Sequence, residues 1–97
     1  MADIDYRPVA GLLSAMAHPL RVAVLLHLDD HGPCDVSCLQ EALGVEQSAL
    51  SHQLRVLRKA SLVHAEARGR RRIYSVADEH VAHIVRDAAA HVGCLSD

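Results

Sequence analysis

Phenylalanine and tryptophan are absent from this sequence of 97 residues, and only two tyrosines are present. A core without large aromatic rings has to be filled by Leu, Val, Ala and Ile, which favours helices meeting through aliphatic ridges. Long apolar runs are missing too. None approaches the roughly 20 residues of a membrane span, so no membrane association is expected. The opening MADIDYRPVA lacks the pattern of a secretory signal, and a cytoplasmic chain is expected. Cysteine is scarce. Three residues, an odd number, argue against a disulfide framework and leave thiolate or metal chemistry open.

What is present is enough for one packed domain over residues 1–97. Apolar residues make up 51% of the chain and the mean hydropathy is +0.10, so disorder is not expected. A core this small gains from a partner subunit. The net charge of −2 conceals a strong division. Residues 47–74 hold seven cations against Glu66 alone, a net +6, while the remainder holds three arginines against eleven acids, a net −8. One face therefore carries a positive potential on an acidic chain.

Periodicity predicts five helices and a hairpin. Val9, Leu12, Leu13 and Met16 mark a first helix within residues 3–16, and His18-Pro19 opens a second, because proline is tolerated in the first turn. The second buries a wide face of Leu20, Val22, Val24, Leu25, Leu26 and Leu28 and stops at Asp29 through Pro33. A third, about residues 35–43, buries Val36, Leu39, Ala42 and Leu43, with Gly44 as a left-handed stop. Val45-Glu46 is a turn before a fourth helix at about 47–59, which buries Leu50, Leu54 and Leu57. Residues 62–67 and 72–76 read as strands around the basic tip Arg68-Gly69-Arg70-Arg71. Asp78 caps a last helix at about 79–93. The order α-α-α-α-β-β-α, mainly α with a small β-hairpin, is that of a winged helix-turn-helix with a further helix at each end.

The third and fourth helices, joined across three residues, have the short turn of a DNA-binding pair. A recognition helix needs small polar side chains where it meets base edges and cations further on for phosphates. Gln47, Ser48, Ser51, His52 and Gln53 supply the first set, and Arg55, Arg58 and Lys59 the second. The wing arginines Arg68, Arg70, Arg71 and Arg72 would reach phosphates or a neighbouring groove. Double-stranded operator DNA is the expected partner.

The stretch Leu39 through Gly44, followed by Gln47 through Arg58, resembles the ArsR/SmtB bacterial metal-sensing repressors. So do His18-Pro19-Leu20-Arg21 and the wing residues Gly69 through Tyr74, and the likeness runs from about residue 9 to 94. It implies a homodimer on a palindromic operator, joined through the terminal helices, whose DNA affinity changes when metal binds. Glu46 stands where the family often has Ser or Asp, so a poorly capped, looser start of the fourth helix is expected.

The last helix reads Asp78-x-His80, ten residues, His91-x-x-Cys94. Family members that sense zinc, cobalt or nickel carry D-x-H-x(10)-H-x-x-[EH], so only the last ligand departs. The spacing has its own logic. Eleven residues place His80 and His91 on one helix face about 16 Å apart, too far to share an ion. Two antiparallel copies across a two-fold axis would bring Asp78 and His80 of one chain opposite His91 and Cys94 of the other, giving two intersubunit sites. Asp78 and His80 converge only if Asp78 lies in the non-helical cap. This donor set suits Zn²⁺, with Co²⁺ close behind. Ni²⁺ would prefer more ligands, which Asp3 or Asp5 could provide. In the family, His91 would reach toward a backbone carbonyl near Ser61.

A second cluster, His27, His31, Cys34 and Cys38, spans the junction of helices two and three. Family members that sense arsenic, cadmium or lead place a Cys-x-Cys at the start of helix three. Here Asp35 and Ser37 fall at those positions. A thiol-responsive or soft-metal regulator of the same fold, using Cys34, Cys38 or Cys94, is the alternative reading. His83 with Asp87 suggests a surface pair, and His64 carries no functional signal. An alternative from another class, a small metal hydrolase, needs a pocket, an open coordination position and a general base. The sequence supplies no pocket.

Overall fold

Three of the five helices start at a capping side chain. In the computed structural model, which describes residues 3–94, α1 spans Arg7–Met16 and α2 spans Pro19–His31. His18 caps α2, its Nδ1 accepting from the Leu20 amide at 3.1 Å. A two-residue strand β1, Cys34–Asp35, leads into α3, Val36–Leu43. Asp35 caps α3 by accepting from the Cys38 amide at 2.9 Å. Gly44, at φ 63° and ψ 39°, ends it in the left-handed region that glycine enters without a Cβ clash. Helix α4, Gln47–Lys59, starts at Glu46 with no side-chain cap bond, as the carboxylate's length predicts. Strands β2, Val63–Arg68, and β3, Arg71–Val76, precede α5, Glu79–His91.

The wing is a three-stranded antiparallel sheet in the order β1-β3-β2. Its register pairs Cys34 with Tyr74 and Asp35 with Ile73 on one side, and Val63 with Val76 through Arg68 with Arg71 on the other. The sequence predicts only the hairpin, because two residues have no periodicity and β1 exists solely by pairing with β3. The hairpin turn is Gly69-Arg70, one residue tighter at each end than expected. Two helix ends also differ. Helix α1 begins at Arg7 rather than near residue 3, and α5 stops at His91, where Gly93 turns the chain back at φ 80°.

Aliphatic side chains fill the core as the missing rings require. Val24, Leu25 and Leu28 of α2 meet Leu39, then Leu50, Leu54 and Leu57 of α4, with Leu62, Val63, Tyr74, Val81 and Val85 closing the sides. The wide face expected on α2 is divided. Leu20, Val22 and Leu26 are half-buried, and Ala42 of α3, expected inside, is exposed. Val22 and Leu26 border a cleft of about 330 Å³ between α1, α2 and α5, with Leu13, Met16 and Ile84. Val9 (58%), Leu13 (48%) and Val92 (70%) leave these terminal helices with exposed apolar surface.

A bidentate ion pair ties α2 to α5: Arg86 donates to both carboxylate oxygens of Asp29, at 3.0 and 2.7 Å. These bonds hold the Asp29 carboxyl below its ordinary pKa. A lowered folded-state pKa stabilises above the unfolded carboxylate value, about 3.9, and the contribution disappears as pH falls through the folded value. Asp29→Asn should therefore lower the thermal unfolding midpoint at pH 7. Its gap from the wild type should close as the pH falls below about 4. Circular dichroism melts across that range measure it, and a pH-independent gap would show that the ionised pair is not its source.

Candidate nucleic-acid interface and metal ligands

The buried stripe Leu50, Leu54 and Leu57 turns the opposite side of α4 outward. Gln47, Ser48, His52, Arg55, Arg58 and Lys59 are exposed, while Ser51 and Gln53 are half-buried. Gln53 has a structural attachment as well. Its amide oxygen accepts from Arg21 Nε at 2.7 Å, and the same guanidinium donates to the Ala15 carbonyl at 3.2 Å. Arg21 thus fixes α4 against the α1–α2 junction, and only the Gln53 amino group is left for DNA. The sequence offers no periodic signal for this bond, since the partners are 32 residues apart.

The basic residues divide into held and unheld. Arg71 donates to Asp35 at 2.7 Å, and Arg68 lies 3.4 Å from Glu66. Among the described residues Arg55, Arg58, Lys59, Arg70 and Arg72 form no ion pair. Their charge is not offset by a contacting acid, so the face of α4 and the hairpin tip carry the positive potential expected from the sequence. Arg58 and Lys59 also occupy the last turn of α4, where cations suit the helix dipole. The sequence reading places Asp35 as the first residue of the third helix, whereas it is the cap just before it. It serves both as cap of α3 and as anchor of the wing. The Cys38 amide and the Arg71 guanidinium hold its carboxyl below the usual carboxylate range.

The ligands read from the last helix fall into two groups. Asp78 is the extended N-cap of α5, at φ −162° and ψ 178°, and its Oδ1 accepts from the Val81 amide at 3.0 Å. That cap places the same oxygen 3.7 Å from His80 Nδ1, with the imidazole 94% exposed. The contact is longer than a hydrogen bond, so the imidazole is not committed to the carboxylate. His91 is the final residue of α5. Cys94 follows it through a Schellman turn, its amide donating to the Ala89 carbonyl at 2.9 Å while Gly93 donates to Ala90 at 3.1 Å. His91 and Cys94 are exposed. A single chain brings Asp78 to His80 and leaves His91 and Cys94 at the other end of the helix. Asp5 accepts three bonds from Arg7, at 2.9 to 3.1 Å, so it is already engaged, while Asp3 is exposed.

Two further groupings differ from expectation. His83 lies 3.5 Å from Glu79, one turn back, rather than pairing with Asp87. Of the cluster at the α2–α3 junction, His27, Cys34 and Cys38 bring one ligand atom each within 4.8 Å of one another. His31 instead stacks on His27, ring centroids 4.3 Å apart. Burial, with the neighbouring Cys38 and Asp35, pushes the Cys34 thiol up to about 12.

Residues 18–65 match the family described as bacterial regulatory protein, arsR family. The chain is 48% identical over 83 residues to the HTH-type transcriptional regulator NmtR of Mycobacterium tuberculosis, covering 86% of this chain and 68% of that protein. It is 45% identical to the HTH-type transcriptional repressor SmtB of the same species, over 84% of this chain but only 60% of the relative's length. The solution structure of apo-NmtR superposes with a TM-score of 0.78 at 44% identity, over 98% of this chain and 82% of that one.

Proposed function

The chain belongs to the ArsR/SmtB family of winged helix-turn-helix transcriptional regulators, not of enzymes, and we propose that it is a cytoplasmic, homodimeric repressor whose operator affinity responds to a divalent transition metal. One observation carries the metal reading. The extended cap at Asp78 sets a carboxylate beside the exposed His80 imidazole, as the D-x-H pattern requires. His91 and Cys94 lie exposed at the far end of the same helix. The donors fit Zn²⁺ or Co²⁺: a carboxylate, two imidazoles and a thiol, all accessible. Ni²⁺ would want further oxygens, for which Asp3 is accessible while Asp5 is held by Arg7.

Asp78 and His80 of one chain would act with His91 and Cys94 of the partner. The exposed Val9, Leu13 and Val92 on α1 and around the end of α5 support a dimer joined there, since association would remove this apolar surface from water. A bound cation would supply a charged link between the two α5 helices. On DNA, Gln47, Ser48, Ser51 and His52 would meet base edges in a major groove, with Arg55, Arg58 and Lys59 on phosphates. The wings would add Arg70 and Arg72, then Arg68 and Arg71 once released from their acids.

Fluorescence anisotropy on a labelled promoter fragment tests the whole reading. The metal-free protein should bind the fragment, and stoichiometric Zn²⁺, Co²⁺ or Ni²⁺ should shift the affinity at least 5-fold, the lower end of typical coupling. Binding unchanged by all three metals would remove the metal response and leave a constitutive DNA-binding protein.

A further inference from the structure

The junction of α2, β1 and α3 collects two thiols and an imidazole that the reading above does not use. We propose that His27, Cys34 and Cys38 form a separate metal site, one in each chain, for a thiophilic cation of the Zn²⁺ or Cd²⁺ type. The three donors come from three elements: α2, strand β1 and the first turn of α3. Their ligand atoms already lie within 4.8 Å of one another. Tetrahedral zinc with Zn–S bonds near 2.3 Å spaces its sulfurs roughly 3.8 Å apart, so closure needs about 1 Å of side-chain adjustment. The backbone around the site is already fixed. Gly32 closes α2 onto the Leu28 carbonyl at 2.9 Å, β1 pairs with Tyr74, and Asp35 holds the Cys38 amide at 2.9 Å.

Packing explains Cys34, which is 8% exposed and part of the core. It does not explain Cys38, which is exposed and gains little from apolar burial there, yet faces Cys34 and His27. The gradient from buried Cys34 through half-buried His27 to exposed Cys38 opens the site on one side, where water could complete four ligands. Two sulfurs and one nitrogen select soft or borderline cations over Mg²⁺ and Ca²⁺. No ligand is shared with α5, so this site stands or falls independently of the one proposed there. Nor is it the Cys-x-Cys arrangement at the start of α3, whose positions are Asp35 and Ser37. Asp35, between the two cysteines in sequence, caps α3 and holds Arg71 of the wing. The site therefore adjoins the wing and the helix that precedes α4.

The test uses the reduced full-length Cys94→Ser protein, which keeps only Cys34 and Cys38 as thiols, titrated with Cd²⁺. Ultraviolet thiolate-to-cadmium charge transfer should rise to an endpoint of one Cd²⁺ per chain with the intensity of two thiolates, and Zn²⁺ should displace it. In the same background, exposed Cys38→Ser and His27→Gln should each weaken binding more than about 100-fold, since even outer-shell partners cost 10- to 100-fold. These variants carry the test because Cys34→Ser alters the core. His80→Ala should leave the band unchanged, which separates this site from the α5 ligands. Absence of the band, its persistence in Cys38→Ser or His27→Gln, or a metal-free species two hydrogen atoms lighter by mass spectrometry even in reductant would overturn the proposal. The last outcome would make the cysteine pair a disulfide.

Discussion

A mixed dimer with His80→Ala in one protomer and His91→Ala in the other should keep one of the proposed α5 metal sites, where the wild type should have two and either homodimeric variant none. The reason is distance along a rigid helix. His80 and His91 are separated by about 16 Å of α5 and cannot meet on one ion. In the mixed dimer the intact His80 of one chain would face the intact His91 of the other, so one site would be whole and its counterpart would lose both imidazoles. Co²⁺ ligand-field absorption measures this stoichiometry, because it arises from the ion itself, and a Cys38→Ser background keeps the α2–α3 thiols out of the count. A mixed dimer with no tight site, or homodimers that retain two, would show that the four residues do not join across the dimer.

Arg55→Ala/Arg70→Ala should weaken binding to operator and random DNA alike, and should flatten the dependence of log K on log salt by roughly 3.6. Each cation on a phosphate contributes about 0.9 to that slope through counterion release, and a dimer loses four. Both residues are free of ion pairs among the described residues, so DNA need not compete with an acid for them. Arg71→Ala should flatten the slope by less, because Asp35 holds that guanidinium at 2.7 Å and must release it first. Anisotropy titrations from low to moderate salt give the slopes. A loss confined to the operator with an unchanged slope would mean that Arg55 and Arg70 read bases.

Helices α2 and α3 were readable because apolar spacing is joined to a chemical start or stop, Pro19 and Gly44, and α4 because Leu50, Leu54 and Leu57 form a periodic buried stripe. The cap at Asp78 was readable because a short carboxylate reaches back to the helix amides from one position only. The ends were harder. The start of α1 has no side-chain cap at Tyr6, and α5 closes in a turn at Gly93 that periodicity does not mark.

By itself, the sequence determined the winged helix-turn-helix order, the concentration of charge on α4 and the hairpin, and the placing of Asp78 with His80 and of His91 with Cys94 at opposite ends of α5. All three follow from local spacing, which the rise and turn of a helix convert directly into position. Tertiary structure alone decided what depends on residues far apart in the chain. It paired β1 with β3, spent the Gln53 oxygen on Arg21 and anchored Arg71 on Asp35. It also drew His27, Cys34 and Cys38 together while turning His31 aside to stack. Chain closure over tens of residues leaves no periodic trace in sequence, so such contacts appear only when the core has set the elements at fixed distances.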